Sequence, residues 1–112
     1  MQTALAELVL IAESRTRAVY DRGDGYVVKV ALNHEGFIAN SREANWTSTE
    51  VPLAPCWFEW PADGGDAVLV MEKIVRFVES IDEYNALPRW TGFVDCAQVG
   101  YLADGRLVAY DL

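Results

Sequence analysis

Tyr26-Val27-Val28-Lys29-Val30-Ala31-Leu32 decides how the chain is read. The run is rich in β-branched residues and follows a turn-forming segment, so it is a strand by composition. Side chains alternate along a strand. Val28, Val30 and Leu32 therefore share one face, and Val27, Lys29 and Ala31 share the other. Lys29 rises from a face that is otherwise small and apolar. A lysine placed there snorkels to an edge or meets an anion. The nearest downstream carboxylate in an expected helix is Glu43, fourteen residues on. The pair reads either as a structural ion pair or as part of a ligand site.

Working outward, Asp21-Arg22-Gly23-Asp24-Gly25 is a hairpin turn joining this strand to Ala18-Val19-Tyr20. Leu5 to Ala12, apolar except for Glu7, forms the first strand or a short helix leading into one. Glu13-Ser14-Arg15-Thr16-Arg17 is a polar break between the two. Downstream, Asn33-His34-Glu35-Gly36 interrupts the strand. A helix is expected over roughly 37–48, carrying Glu43 and closed before Pro52. Pro55 to Trp60 and Ala67 to Met71 form a second hairpin around a Gly-rich turn. Ser80-Ile81-Asp82-Glu83 fits a capping box opening a short helix that ends at Pro88. The segment from Arg89 to Asp95 is ambiguous. Gln98 to Leu102 and Leu107 to Tyr110 flank the Asp104-Gly105 turn. The expected fold is α+β: a five-stranded antiparallel sheet with one packed helix, then a short helix and a small C-terminal β-hairpin. Residues 1–112 form one domain, with 1–74 carrying the sheet and helix and 75–112 the remainder.

Composition bounds the function. The chain has 112 residues, 52% of them hydrophobic, enough for one core. A net charge of -8 argues against direct binding to nucleic acid or to an anionic membrane. Arg15, Arg17, Arg22 and Lys29 cluster in one segment and read as a solvated hairpin rather than an anion site. No basic leader or long apolar span is visible, so the expected location is cytoplasmic, with Cys56 and Cys96 reduced and packed. His34 alone beside two cysteines is too few ligands for zinc, so no metal site is expected. Cys96 lacks a cationic neighbour to form its thiolate, and no base is positioned for a nucleophilic triad. Asp82 and Glu83 read as partners of a helix dipole. Trp60 and Trp90 stand out as candidate anchors for a partner protein, because tryptophan is favoured at binding hot spots. Asp63, Asp66, Asp82 and Glu83 are the accompanying acidic candidates.

The order of elements resembles the small lobe of protein kinases, and most of all the compact kinase-like proteins encoded by phages. In kinases a V-A-I-K lysine on the third strand pairs with a helix glutamate. Val27-Val28-Lys29 and Glu43 match that pair, and Leu69-Val70-Met71-Glu72-Lys73 is similar to a hinge entry. Asp95, Gln98, Gly100 and the Asp104-Gly105 turn resemble a worn catalytic segment, with Tyr110-Asp111 in place of the D-F-G start. The resemblance implies a kinase-like ion pair or nucleotide site of Lys29, Glu43, Gln98 and Asp111.

The departures favour a scaffold without catalysis. Glu13 to Ala18 contains no glycine where a glycine-rich loop would cover phosphates. The H-R-D histidine and arginine are missing, and Gln98 follows Asp95 too closely for the usual metal ligand. The sequence stops at Leu112, before any activation segment or helical lobe that would position a substrate. No catalytic residues and no cofactor are therefore expected. The expected function is protein binding through an acidic surface, as in a phage-encoded inhibitor of a host protein, an anti-CRISPR or other anti-defence protein. The host protein could itself bind nucleic acid. The alternative is a nucleotide-binding or phosphotransferase-type enzyme using Lys29, Glu43 and Asp111, with ATP and Mg as cofactors.

Overall fold

A computed structural model describes residues 8–62, 64–94 and 98–112. The chain divides into two compact units. One runs to Asn45 and resumes over Pro55–Glu72; the other comprises Trp46–Ala54 and Lys73–Leu112.

The first unit is the expected antiparallel sheet. It contains β1 (Val9–Glu13), β2 (Arg17–Asp21), β3 (Tyr26–Ala31), α1 (His34–Ala44), β4 (Cys56–Glu59) and β5 (Val68–Glu72). The strand order is β1-β2-β3-β5-β4, so β3 is central. Gly23 and Gly25 both take positive φ in the β2–β3 turn, a conformation that costs glycine no steric clash. Val28 opposes Tyr20 and Val70, and these residues share one sheet face. There Val28, Val68 and Val70 form a buried cluster, with Leu8, Tyr20, Tyr26 and Val30 packed against it. Lys29 opposes Val19 and Leu69, so it lies on the other face with Val27 and Met71. Helix α1 packs against β3, β4 and β5.

The helix begins three residues earlier than the sequence pattern suggests and ends sooner. Asn33 is its N-cap, not a strand breaker: the Asn33 side chain accepts from the Gly36 amide at 3.0 Å. The same side chain donates to the Arg15 carbonyl at 3.0 Å, tying the helix start to the β1–β2 turn. Asn33→Ala is expected to lower stability by about 1 kcal/mol, the usual worth of a cap. Urea denaturation checks this, and an unchanged midpoint would contradict it.

The second unit contains β6 (Arg76–Phe77), α2 (Ile81–Asn85), a 3-10 helix (Arg89–Phe93), β7 (Val99–Tyr101) and β8 (Leu107–Ala109). The expected C-terminal hairpin is present and gains β6, giving a three-stranded sheet ordered β6-β7-β8. The Ser80 hydroxyl accepts from the Glu83 amide at 3.0 Å, as the capping pattern requires. Val94, Val99 and Ala109 form the core, with Val51, Leu53 and Trp90 packed on it. Pro52 and Ala54 bind the Ala109 backbone, which brings 46–54 into this unit. Among the described residues, no helix is long and apolar enough to cross a membrane.

Candidate functional site

The most densely connected polar group lies between β2, β3 and α1. Glu43 Oε1 accepts from Lys29 Nζ at 2.9 Å, the pairing expected from strand alternation and spacing. Both residues are buried, with relative exposures of 4% for Lys29 and 1% for Glu43. A third member was not anticipated. Arg17 is also buried and grips the same carboxylate in a fork, Nη1 to Oε1 at 2.8 Å and Nη2 to Oε2 at 3.2 Å. Its Nη1 also donates to Asn40 Oδ1 at 3.0 Å, and Asn40 Nδ2 donates to the Lys29 carbonyl at 3.0 Å. Bidentate guanidinium–carboxylate contacts combine charge with fixed geometry. The basic cluster is therefore no solvated hairpin throughout. Arg15 is exposed, but Arg17 and Lys29 are buried, and Arg22 is largely covered where it pairs with Asp24 and Glu59.

Burial alone would push the Glu43 carboxyl up. Hydrogen bonding from Arg17, the Lys29 charge and the Arg17 charge outweigh it, so the carboxyl stays below its ordinary range. The neighbouring Cys56 thiol donates to the Glu43 carbonyl at 3.4 Å. Burial first, then the Glu43 charge, push that thiol up to about 11, so it is not a nucleophile at neutral pH.

The β1–β2 turn stands beside this cluster. Three amides at this turn, those of Ser14, Thr16 and Arg17, are committed locally. Ser14 Oγ accepts from the Arg17 amide at 3.1 Å and the Thr16 amide at 3.3 Å, and the Ser14 amide donates to the Arg17 carbonyl at 2.8 Å.

The other sequence candidates fall in both units. Gln98 and Asp111 belong to the second unit, where the Tyr110 amide donates to the Gln98 carbonyl at 3.0 Å. Asp95, Cys96 and Asp63 lie outside the described residues. Trp60 is exposed, at 60%, whereas Trp90 is half-buried against the second core. Asp82 is exposed at the start of α2. Glu83 is held by Arg76 at 2.8 Å and accepts from the Glu79 amide at 3.2 Å. Asp66 lies in the β4–β5 turn, on the wall of an open cleft described below. His34 is exposed in the first turn of α1. Among the described residues, no three His, Cys, Asp or Glu side chains group closely enough to hold a metal ion.

Compared with family models, curated proteins and solved structures, the chain matches none of them.

Proposed function

We propose that the chain is a kinase-like domain without phosphotransfer activity that acts by binding another protein. Two features support the kinase-like part. The sheet carries a helix between its third and fourth strands, and a buried Lys29–Glu43 pair joins that helix to the central strand. The observation that carries the non-catalytic part is the β1–β2 turn. A phosphate-covering loop leaves its amides for the ligand, and glycine lets them approach it. Here the Ser14 hydroxyl takes up the Thr16 and Arg17 amides, no glycine is present, and the adjoining Arg17 side chain is drawn onto Glu43. These residues do not fit the phosphates of a nucleotide.

The binding part is supported by the net charge of -8 and by large apolar side chains left exposed, Trp60 among them. An acidic surface steers association with a basic partner. The reading extends to an inhibitor of a host protein, of the kind phages encode, covering a basic surface that otherwise takes nucleic acid. The opposing reading, a nucleotide-binding enzyme using Lys29, Glu43 and Asp111, draws on the Lys29–Glu43 pair. One titration separates the two. Calorimetry with ATP and Mg²⁺ is expected to show no saturable heat. Saturable ATP binding that Lys29→Ala abolishes would favour the nucleotide-binding reading instead.

A further inference from the structure

A cleft of about 460 Å³ opens in the first unit, between the end of β3, the first turn of α1 and the β4–β5 turn. Much of its wall is apolar, including Val30, Leu32, Phe37 and Val68. Leu32 and Phe37 are each nearly half exposed, so their hydrocarbon is only partly covered. The adjoining turn contains Gly64 and Gly65, both at positive φ and with no side chain to fill the space. Among the described residues Asp66 is the one acidic residue on the wall, and no lysine or arginine lines it. Exposed Trp60 immediately precedes Pro61, another wall residue.

We infer that this cleft receives a segment of a partner protein in which one large apolar side chain stands beside a lysine or arginine. The inference rests on the reading of the chain as a binding domain and names the partner's chemistry. The volume falls within the range of small-ligand sites, which are mainly apolar with few polar groups to fix orientation. The apolar wall supplies the anchor's burial. Asp66 supplies the charged contact, and a cationic donor complements it more strongly than a neutral one. The charge of -8 favours the same sign of partner from a distance. An acidic segment would meet Asp66 as a like charge, and a purely basic one would leave the apolar wall uncovered.

Three capped peptides test the inference by amide NMR titration of the full chain at millimolar concentrations: Lys-Trp-Leu-Lys, Glu-Trp-Leu-Glu and Lys-Gly-Gly-Lys. Saturable shifts at Leu32, His34, Phe37 and Asp66 are expected with the first peptide only. Asp66→Asn should weaken that binding about two- to fivefold, the worth of one exposed ion pair. Phe37→Ser should weaken it as well. Both positions are exposed, and the variant spectra report whether the fold is kept. The inference is overturned by equal binding of the acidic peptide, by indifference to Asp66→Asn, or by absence of shifts. Shifts confined to another face would overturn the cleft and leave the binding reading standing. ATP-dependent shifts around Lys29 would overturn the binding reading and leave the peptide result to stand separately.

Discussion

Glu43→Gln is expected to destabilise the protein by about 3–5 kcal/mol, the typical cost of leaving buried charge uncompensated. The carboxylate is shared by two buried cations, with Arg17 at 2.8 Å and Lys29 at 2.9 Å. A glutamine keeps the shape but supplies no charge, and its amide nitrogen turns a donor toward donors. Replacing Arg17, Lys29 and Glu43 together by Met, Met and Leu should cost far less, because paired charges contribute little net stability once their desolvation is counted. Urea denaturation of the single and triple variants measures the difference. A cost below about 1 kcal/mol for Glu43→Gln would show that both cations relax to water, as surface pairs do. Single and double replacements complete a cycle that separates the Lys29 and Arg17 couplings.

The same carboxylate dictates a pH dependence. Its folded-state pKa is depressed, so the unfolded chain binds the proton more readily. The stability it contributes is complete above the unfolded value of about 4.3 and is lost as pH falls through the lower folded value. Glu83 and Asp104 are also held low, Glu83 by hydrogen bonding from Arg76 and Asp104 by the backbone amide and side chain of Arg106. Asp104 is exposed and Glu83 partly so, and salt screens both, whereas the Glu43 contribution is buried and should persist at high salt. Acid unfolding followed in high salt should lose its steepest component in Glu43→Gln.

Strand alternation and residue spacing made half of this cluster readable. Alternation put Lys29 on the face away from Val28, and the downstream helix offered Glu43. Arg17 was hidden because it ends a run of polar residues, where an arginine reads as solvated. Extending the β2 alternation back from Val19 would have found it: Val19 opposes Lys29 and Arg17 opposes Ala31. The helix boundaries were missed for a related reason. Helix α1 buries Gly36, Asn40 and Glu43 and exposes Phe37 and Ile38, so its inner stripe is polar. A search for apolar periodicity follows the wrong face of such a helix. The Asn33 cap was the usable signal. Strand β6, only two residues long, carries no period at all. The candidate anchors divided by local context. Trp60 beside a proline turn is exposed, while Trp90 in an ambiguous segment packs into a core.

Gly36→Ala is expected to destabilise the protein by about 1–3 kcal/mol, the usual cost of overpacking a filled site. On helix propensity alone the change should stabilise, since alanine is favoured over glycine by about 1 kcal/mol. The local packing reverses the sign. A β-carbon on Gly36 would run into the Thr16 carbonyl oxygen and sit 3.1 Å from the Ala31 Cα. Both neighbours are backbone and neither can swing aside. The Thr16 carbonyl also accepts from the Leu32 amide at 2.8 Å, so moving it breaks a bond between the β1–β2 turn and the end of β3. The remaining way out is for α1 to lift from the sheet at its first turn. That movement would strain the Asn33 cap and draw the helix carrying Glu43 away from Lys29 and Arg17. Gly36→Ala should therefore lower the urea midpoint and also weaken the acid dependence assigned to Glu43. A Gly36→Ala protein as stable as the parent, or more so, would mean that α1 has room above the sheet. The close approach that seats the Arg17–Glu43–Lys29 cluster would then not be required.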